Sequence, residues 1–247
     1  MPIRTTFDHT HRLWTQTLEI YLNKEGLFAY QRLLEDIKTQ KNSAFVAYLE
    51  NLGHVSKYQF EKFTRNQQMA FLINAYNALT VKLIIDHYPV RSIKKIGSLF
   101  SSPWKKKFFS LLDDSVRTLD QIEHEWLRSR YKDFRIHAAV NCASISCPAL
   151  GDKAFASDDL DQQLDEQMQK WLSDTSRNRL DPTKHIAYVS KIFDWYQDDF
   201  EVWGGGVKSV LKTYKPNLES DFFKTGCDYA IAYLDYNWDL NEEQGKL

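Results

Sequence analysis

Apolar residues recur at three- and four-residue spacings through the first part of the chain: Leu13, Thr17, Leu18 and Tyr21, then Leu33, Leu34 and Ile37, then Phe45, Tyr48, Leu49 and Leu52. That period predicts amphipathic helices, the third stopped by Asn51-Leu52-Gly53. Residues 68–86 are apolar nearly all round, which marks a helix at the centre of a domain, closed by Pro89. Beyond a loop through Ser101-Ser102-Pro103, residues 108–111 and 116–118 flank Asp113-Asp114-Ser115 as the arms of a hairpin would. Thr118 with Gln121 forms a capping-box pattern that opens a helix over about 119–131. Ile136, Ala138 and Val140 alternate with His137, Ala139 and Asn141, which predicts a strand over 135–141. A helix over 158–172, a strand over about 185–193, a hinge at Gly204-Gly205-Gly206, a helix over 207–214 and a last helix over about 221–234 follow. The pattern predicts an α+β fold, a single domain over 1–247 with one core. It is predominantly helical around a small, mostly antiparallel sheet, built from the 108–118 hairpin and the strands over 135–141 and 185–193.

With 43% hydrophobic residues, 15 Phe, 13 Tyr and 7 Trp, the chain can bury a sizeable core. A net charge of -1 with both signs interspersed provides no basic field for a nucleic acid. Lys105-Lys106-Lys107 is too short a run to change that. Three cysteines do not make a disulfide framework, and a reducing compartment fits best. The first residues, Met1-Pro2-Ile3-Arg4-Thr5-Thr6, hold no apolar core of signal-peptide length, so a cytoplasmic location is expected; a periplasmic one is the alternative if a signal was removed. No membrane span is expected, since the most apolar segment, 69–85, contains Asn74, Asn77 and Lys82.

The window over 135–148 gathers Cys142, Cys147, His137 and Asn141 where the predicted strand runs into a loop of small residues. Glu123 projects from an apolar face made by Leu119, Ile122, Trp126 and Leu127, and a buried carboxylate there needs a partner. An arginine such as Arg130 or Arg135 is one candidate and His137 another. Glu123, His137 and a thiol would form a nucleophile, a base and its orienter. Cys142 and Cys147 compete for the nucleophile, with two buried thiols or a local disulfide as the inert alternatives. Asn141 or the backbone N–H groups of the 142–147 loop would hold an oxyanion. A zinc site on His137, Cys142 and Cys147 lacks a paired C-x-x-C knuckle, and no metal or other cofactor is expected. Asn74 and Asn77, one helical turn apart, face a substrate or pin a loop. With Arg135 and Lys191 they could hold a small acidic or thiol compound without turnover. Trp195 suits a pocket wall.

Five segments in order resemble a known family: Phe71-Leu72-Ile73-Asn74-Ala75-Tyr76-Asn77-Ala78-Leu79-Thr80, Leu119-Asp120-Gln121-Ile122-Glu123-His124, residues 135–148, residues 190–200 and Tyr236-Asn237-Trp238-Asp239-Leu240-Asn241. They are similar to the DUF547 family, a domain of unknown function, over about 7–241. The resemblance implies a Cys-His-Glu arrangement akin to cysteine hydrolases, mapping onto Cys142, His137 and Glu123. Plant members keep the cysteine matching Cys142 and carry serine at the position of Cys147, which points to Cys142 as nucleophile. The resemblance also implies a hydrolase or acyl/peptidyl transferase acting on a small peptide-like or thiol substrate of the glutathione kind, with a non-catalytic binding module as the alternative. Bacterial members often carry an export signal.

Overall fold

The computed structural model describes residues 6–41, 44–97, 101–215 and 229–243. Helices α1 (Arg12–Tyr21), α2 (Tyr30–Lys38), α3 (Ala44–Gly53) and α5 (Arg65–Asp86) lie where the helical period places them, and a single turn not expected from it, α4 (Lys57–Phe60), leads into α5. The Thr64 hydroxyl accepts the Gln67 N–H at 3.3 Å and Gln67 Oε1 accepts the Thr64 N–H at 3.0 Å, a reciprocal cap that fixes the start of α5. Nearly every residue of α5 from Met69 to Ile85 is buried, as its unbroken apolar pattern requires. By length and composition α5 could cross a membrane, yet 89% of its apolar window is buried inside the protein.

After α5 come two short 3₁₀ turns, Ile93–Lys95 and Pro103–Lys105. The expected hairpin over 108–118 reduces to one antiparallel bridge, Leu111 to Val116. Leu112, Asp113 and Asp114 are all left-handed, and that tight loop ends the ladder after one pair. Thr118 Oγ1 accepts the Gln121 N–H at 3.1 Å, and the predicted helix follows as an eight-residue π-helix, Gln121–Arg128, running into α6 (Ser129–Tyr131). Its buried face is Ile122, Glu123, Trp126 and Leu127. π-Helical segments are rare and concentrate at functional sites.

The strand predicted over 135–141 is absent. Residues Ile136–Ala139 form one helical turn, α7, and only then does Val140 extend. Every residue from Ile136 to Val140 is buried, so the apparent alternation had no solvent face behind it. Helix α8 (Leu160–Ser173) matches the expected amphipathic helix. The sheet consists of β1 (Arg179–Asp181), β2 (Ile186–Val189) and β3 (Ala230–Tyr233), with β2 central, antiparallel to β1 and parallel to β3. Strand β2 is shorter than the predicted 185–193 because the Ser190 N–H turns to Asn178 Oδ1 and the chain enters α9 (Ile192–Trp195). Helices α10 (Gln197–Gly204) and α11 (Val207–Tyr214) then flank the expected glycine hinge, where Gly205 and Gly206 take φ of 71° and 92°. Of the predicted last helix, 221–228 lie outside the described residues and 230–233 pair in register with β2 as β3. The fold class is α+β as expected, with a mixed sheet that keeps the 185–193 strand as β2 and takes β1 and β3 in place of the hairpin and the 135–141 strand.

The apolar interior falls into two clusters rather than one. The larger surrounds α5, and the smaller, with Trp171, Phe193 and Phe200, joins α8, β2, α10 and α11. They meet at the 136–140 turn, where Ile136, Ala139 and Val140 belong to the first and Ala138 to the second.

Candidate functional site

The segment between the two clusters is held by amides. Asn77 Nδ2 donates to the Ala139 carbonyl at 2.9 Å and Asn77 Oδ1 accepts the Asn141 N–H at 2.8 Å. Asn141 in turn accepts the Ala143 N–H at 2.7 Å and donates to the Pro148 carbonyl at 2.8 Å. Ala143 sits at φ 60°, an uncommon conformation for a residue with a β-carbon, and it turns the chain back on itself. Asn74 pins Phe155 through both backbone groups, at 2.7 and 3.0 Å. Asn74, Asn77 and Asn141 therefore position loops, the role weighed for the first two against substrate binding.

The closed loop brings two free thiols together, with Cys142 Sγ and Cys147 Sγ 2.6 Å apart, beyond the roughly 2.05 Å of a disulfide bond. Donors converge on Cys147. Its sulfur accepts the Cys142 N–H at 3.0 Å and the Tyr236 hydroxyl at 3.2 Å, while Ser144 Oγ donates to the Tyr236 oxygen at 2.9 Å. Cys142 Sγ is 3.2 Å from Ser144 Oγ and 3.3 Å from Tyr236 Oη. Burial opposes ionisation of Cys147, but the Cys142 thiol, the Tyr236 hydroxyl and the Cys142 N–H outweigh it and draw its pKa down. The hydrogen bond to Cys147, with burial behind it, holds Cys142 well above the usual thiol range. The two thiols titrate as a coupled unit in which Cys147 is the one favoured to ionise. Cys147 is buried, whereas Cys142 is half-buried.

His137 is 2% exposed, and its Nε2 lies 2.8 Å from Asp199 Oδ2. Glu123, the expected orienter, does not hold it. Asp199 also takes the fork of Arg128, whose Nε and Nη2 donate to Oδ2 and Oδ1 at 2.6 and 2.9 Å. Burial pushes the Asp199 carboxyl up, but the hydrogen bonds from His137 and Arg128 outweigh it and hold it at about 2. Burial drives the His137 pKa down, only partly offset by Asp199, so the ring is neutral with its proton on Nε2 and Nδ1 left as acceptor. The ring stacks on Tyr196 at a centroid distance of 3.9 Å. Glu123 Oε1 accepts the Tyr196 hydroxyl at 2.5 Å. Neither Arg130, which reaches Glu61, nor Arg135 pairs with Glu123. Asp199 stands out in the sequence only as part of the 190–200 segment.

Glu123, His137, Cys142, Cys147 and Trp195 line one cavity of about 240 Å³, together with Tyr76, Asp120, Tyr236 and Trp238. Arg135 is elsewhere, gripped by Asp133, Asp161 and Asp165, and Lys191 pairs with Asp194 at 2.8 Å. Neither lines the cavity, which removes the cations expected to anchor an acidic ligand. No hydrogen bond joins Cys142 to His137 among the described residues. The backbone N–H groups of Cys142, Ala143, Ile145, Ser146 and Cys147 are all engaged, to Cys147 Sγ, Asn141 Oδ1, and the carbonyls of Asp239, Asn237 and Ser144, so they form no oxyanion hole. The donor beside the sulfurs is Tyr236, a residue sequence reasoning saw only as part of a motif. Among the described residues no three His, Cys, Asp or Glu side chains are grouped to share a metal ion.

Fold and site together define a helix-rich α+β protein with a dithiol cavity backed by a buried His–Asp–Arg chain. Residues 60–172 match the family described as "Protein of unknown function, DUF547", which supports the resemblance drawn from the motifs. Glu123, His137 and both cysteines lie within that stretch, whereas Tyr196, Asp199 and Tyr236 lie beyond it. No curated protein and no solved structure matches the chain.

Proposed function

We propose that this protein is a cysteine-dependent hydrolase or acyl transferase acting on a small amide or thioester. The observation that carries the reading is the convergence of donors on Cys147 beside a half-buried Cys142, in a cavity that His137 also lines. A buried thiolate surrounded by donors is shielded from an incoming carbonyl but is in hydrogen-bond reach of its neighbour's proton, and of the two cysteines lining the cavity the more exposed is Cys142. Cys142 attacks the carbonyl and its proton passes to Cys147. Tyr236, no longer needed by a thiolate, turns its hydroxyl to the oxyanion. Cys147 then protonates the leaving amine or thiol, which leaves a thioester on Cys142 and a thiolate on Cys147. Water, or an acceptor amine or thiol in a transferase, gives a proton to His137 Nδ1 and adds to the thioester. The departing Cys142 sulfur takes that proton back, and the pair returns to its starting state. Asp199 holds the His137 tautomer throughout.

A thiol peptide of the glutathione kind brings carboxylates to a cavity that holds Asp120 and Glu123 and, among the described residues, no lysine or arginine, which weighs against it as the substrate. The test is alkylation by a small neutral reagent across pH, with the modified cysteine mapped. The adduct is expected on Cys142, at least about one pH unit below an ordinary thiol near 8.5, and Cys147→Ser and Tyr236→Phe should each move the midpoint up. An adduct on Cys147, or reaction of both thiols only at alkaline pH, would sink the mechanism and leave a reversible binding module in its place.

A further inference from the structure

The cavity wall combines two carboxylates, Asp120 and Glu123, with the rings of Trp104, Trp195, Tyr236 and Trp238. Glu123 is 5% exposed, and among the described residues its carboxylate has one hydrogen bond, from Tyr196, and no ion pair. Arg128, whose guanidinium feels that charge, has committed Nε and Nη2 to Asp199 and Nη1 to His124 Nδ1 at 2.9 Å. With Nδ1 accepting from Arg128, the free ring nitrogen of His124 is Nε2, 3.8 Å from Asp120. A carboxylate this buried is costly without a cation, and among the described residues the cavity wall holds no lysine or arginine.

The aromatic part of the wall is suited to the same partner. Trp195 stacks on Trp238 at 5.5 Å and Tyr236 packs against both, at 4.7 and 4.5 Å, so ring faces with negative quadrupoles gather beside the carboxylates. One protein cation already uses this cluster, since Lys94 Nζ sits 4.4 Å from the Trp238 centroid, but Lys94 does not line the cavity. The volume, about 240 Å³, falls below the roughly 300–1,000 Å³ of drug-sized clefts and suits a group no larger than an aminoacyl unit.

We propose that the acyl group taken up at this site bears an ammonium group, held by the Glu123 and Asp120 carboxylates and the faces of the surrounding tryptophans. The inference rests on the thiol chemistry above and narrows its substrate class to amides or thioesters of small amine-bearing acids.

Three chloroacetamides of equal length test it, ending in an ammonium, a methyl or a carboxylate. In each, the Cys142 sulfur displaces chloride from the same carbon and its proton passes to Cys147. At neutral pH and low salt the ammonium reagent should alkylate Cys142 at least about tenfold faster than the methyl one, and the carboxylate reagent should be slowest. The ammonium-over-methyl ratio should fall to near one in the Glu123→Gln/Asp120→Asn double variant. Equal rates in the unaltered protein, a faster carboxylate reagent, or a ratio that survives in the double variant would overturn the proposal. Binding of unreactive butylammonium and butyrate, followed by tryptophan fluorescence, separates the two readings. Saturation by butylammonium at lower concentration than butyrate sustains the ammonium site even if Cys142 proves inert, and the reverse order overturns it.

Discussion

His137 and Asp199 share a buried hydrogen bond of 2.8 Å, and the same Asp199 oxygen accepts the Arg128 Nε at 2.6 Å. The imidazole is therefore fixed by a carboxylate that a guanidinium keeps ionised, while Glu123 is left to the cavity. Asp199→Asn removes both effects. The amide no longer demands a proton on Nε2, and Arg128 loses its counter-charge. Release of the acyl group from Cys142 should slow by about 100-fold or more, as loss of a positioned general base does, while formation of the acyl-cysteine persists. Rapid-quench mass spectrometry on an activated thioester should show acyl-Cys142 accumulating. Release within about threefold of the unaltered protein would remove Asp199 from the mechanism.

The sulfurs, 2.6 Å apart, also define a redox couple. A low-molecular-weight disulfide should take two electrons from the pair, leaving a Cys142–Cys147 disulfide and two equivalents of the small thiol, one protonated by Cys142 and the other by solvent. The protein should lose about 2 Da and all alkylation at Cys142, and dithiothreitol should restore both. A stable mixed disulfide at Cys142, with no transfer to Cys147, would show that the thiols cannot close on one another in solution.

The sequence made the helical scaffold readable because α1, α2, α3 and α8 each show a solvent face and a core face, and α5 shows no solvent face at all. The 136–140 segment defeated the same method. It lies where two apolar clusters meet and is buried on every side, so its period carries no information about its backbone. Strand β3 was hidden for a different reason. Four residues, Ala230–Tyr233, are too few to show a period, and what makes them a strand is register with β2, more than forty residues earlier in the chain. The cysteines and His137 stood out by residue type, and Glu123 by its place on an apolar face. Asp199 and Tyr236 reach the site only through tertiary packing, and the π-helical winding that carries Glu123 and Arg128 has no distinct apolar period to reveal it.

Asn77 closes two buried backbone groups at once, the Ala139 carbonyl and the Asn141 N–H. In Asn77→Ala both are left without a partner where water does not reach. Each buried unsatisfied group costs about 1–3 kcal/mol, so urea unfolding should show a loss of about 2–6 kcal/mol with little change in m-value. The thiol loop should loosen with it, seen as faster alkylation of Cys147 in the variant. Unchanged stability would mean that another group replaces the amide.

His11 sets a dependence of stability on pH that is independent of the thiol site. It is 1% exposed, its Nδ1 pairs with the Tyr48 hydroxyl at 2.7 Å, and its Nε2 has no partner among the described residues. Burial, reinforced by His9 and opposed by Asp8, pushes its pKa down to about 3, whereas an unfolded histidine titrates near 6.5. Because the folded value is the lower one, the stabilisation is fully present above about pH 6.5 and is lost as pH falls from there toward about 3. His137 is displaced in the same direction and adds to the loss, while Asp199, held at about 2, stays ionised through this window. Each pH unit inside the window costs about 1.4 kcal/mol per histidine. Urea midpoints should therefore fall steeply between pH 6.5 and 5, and His11→Gln, which keeps a polar partner for Tyr48 but has nothing to protonate, should flatten that slope by close to one proton. Equal slopes in the two proteins would show that His11 is not held neutral by the fold.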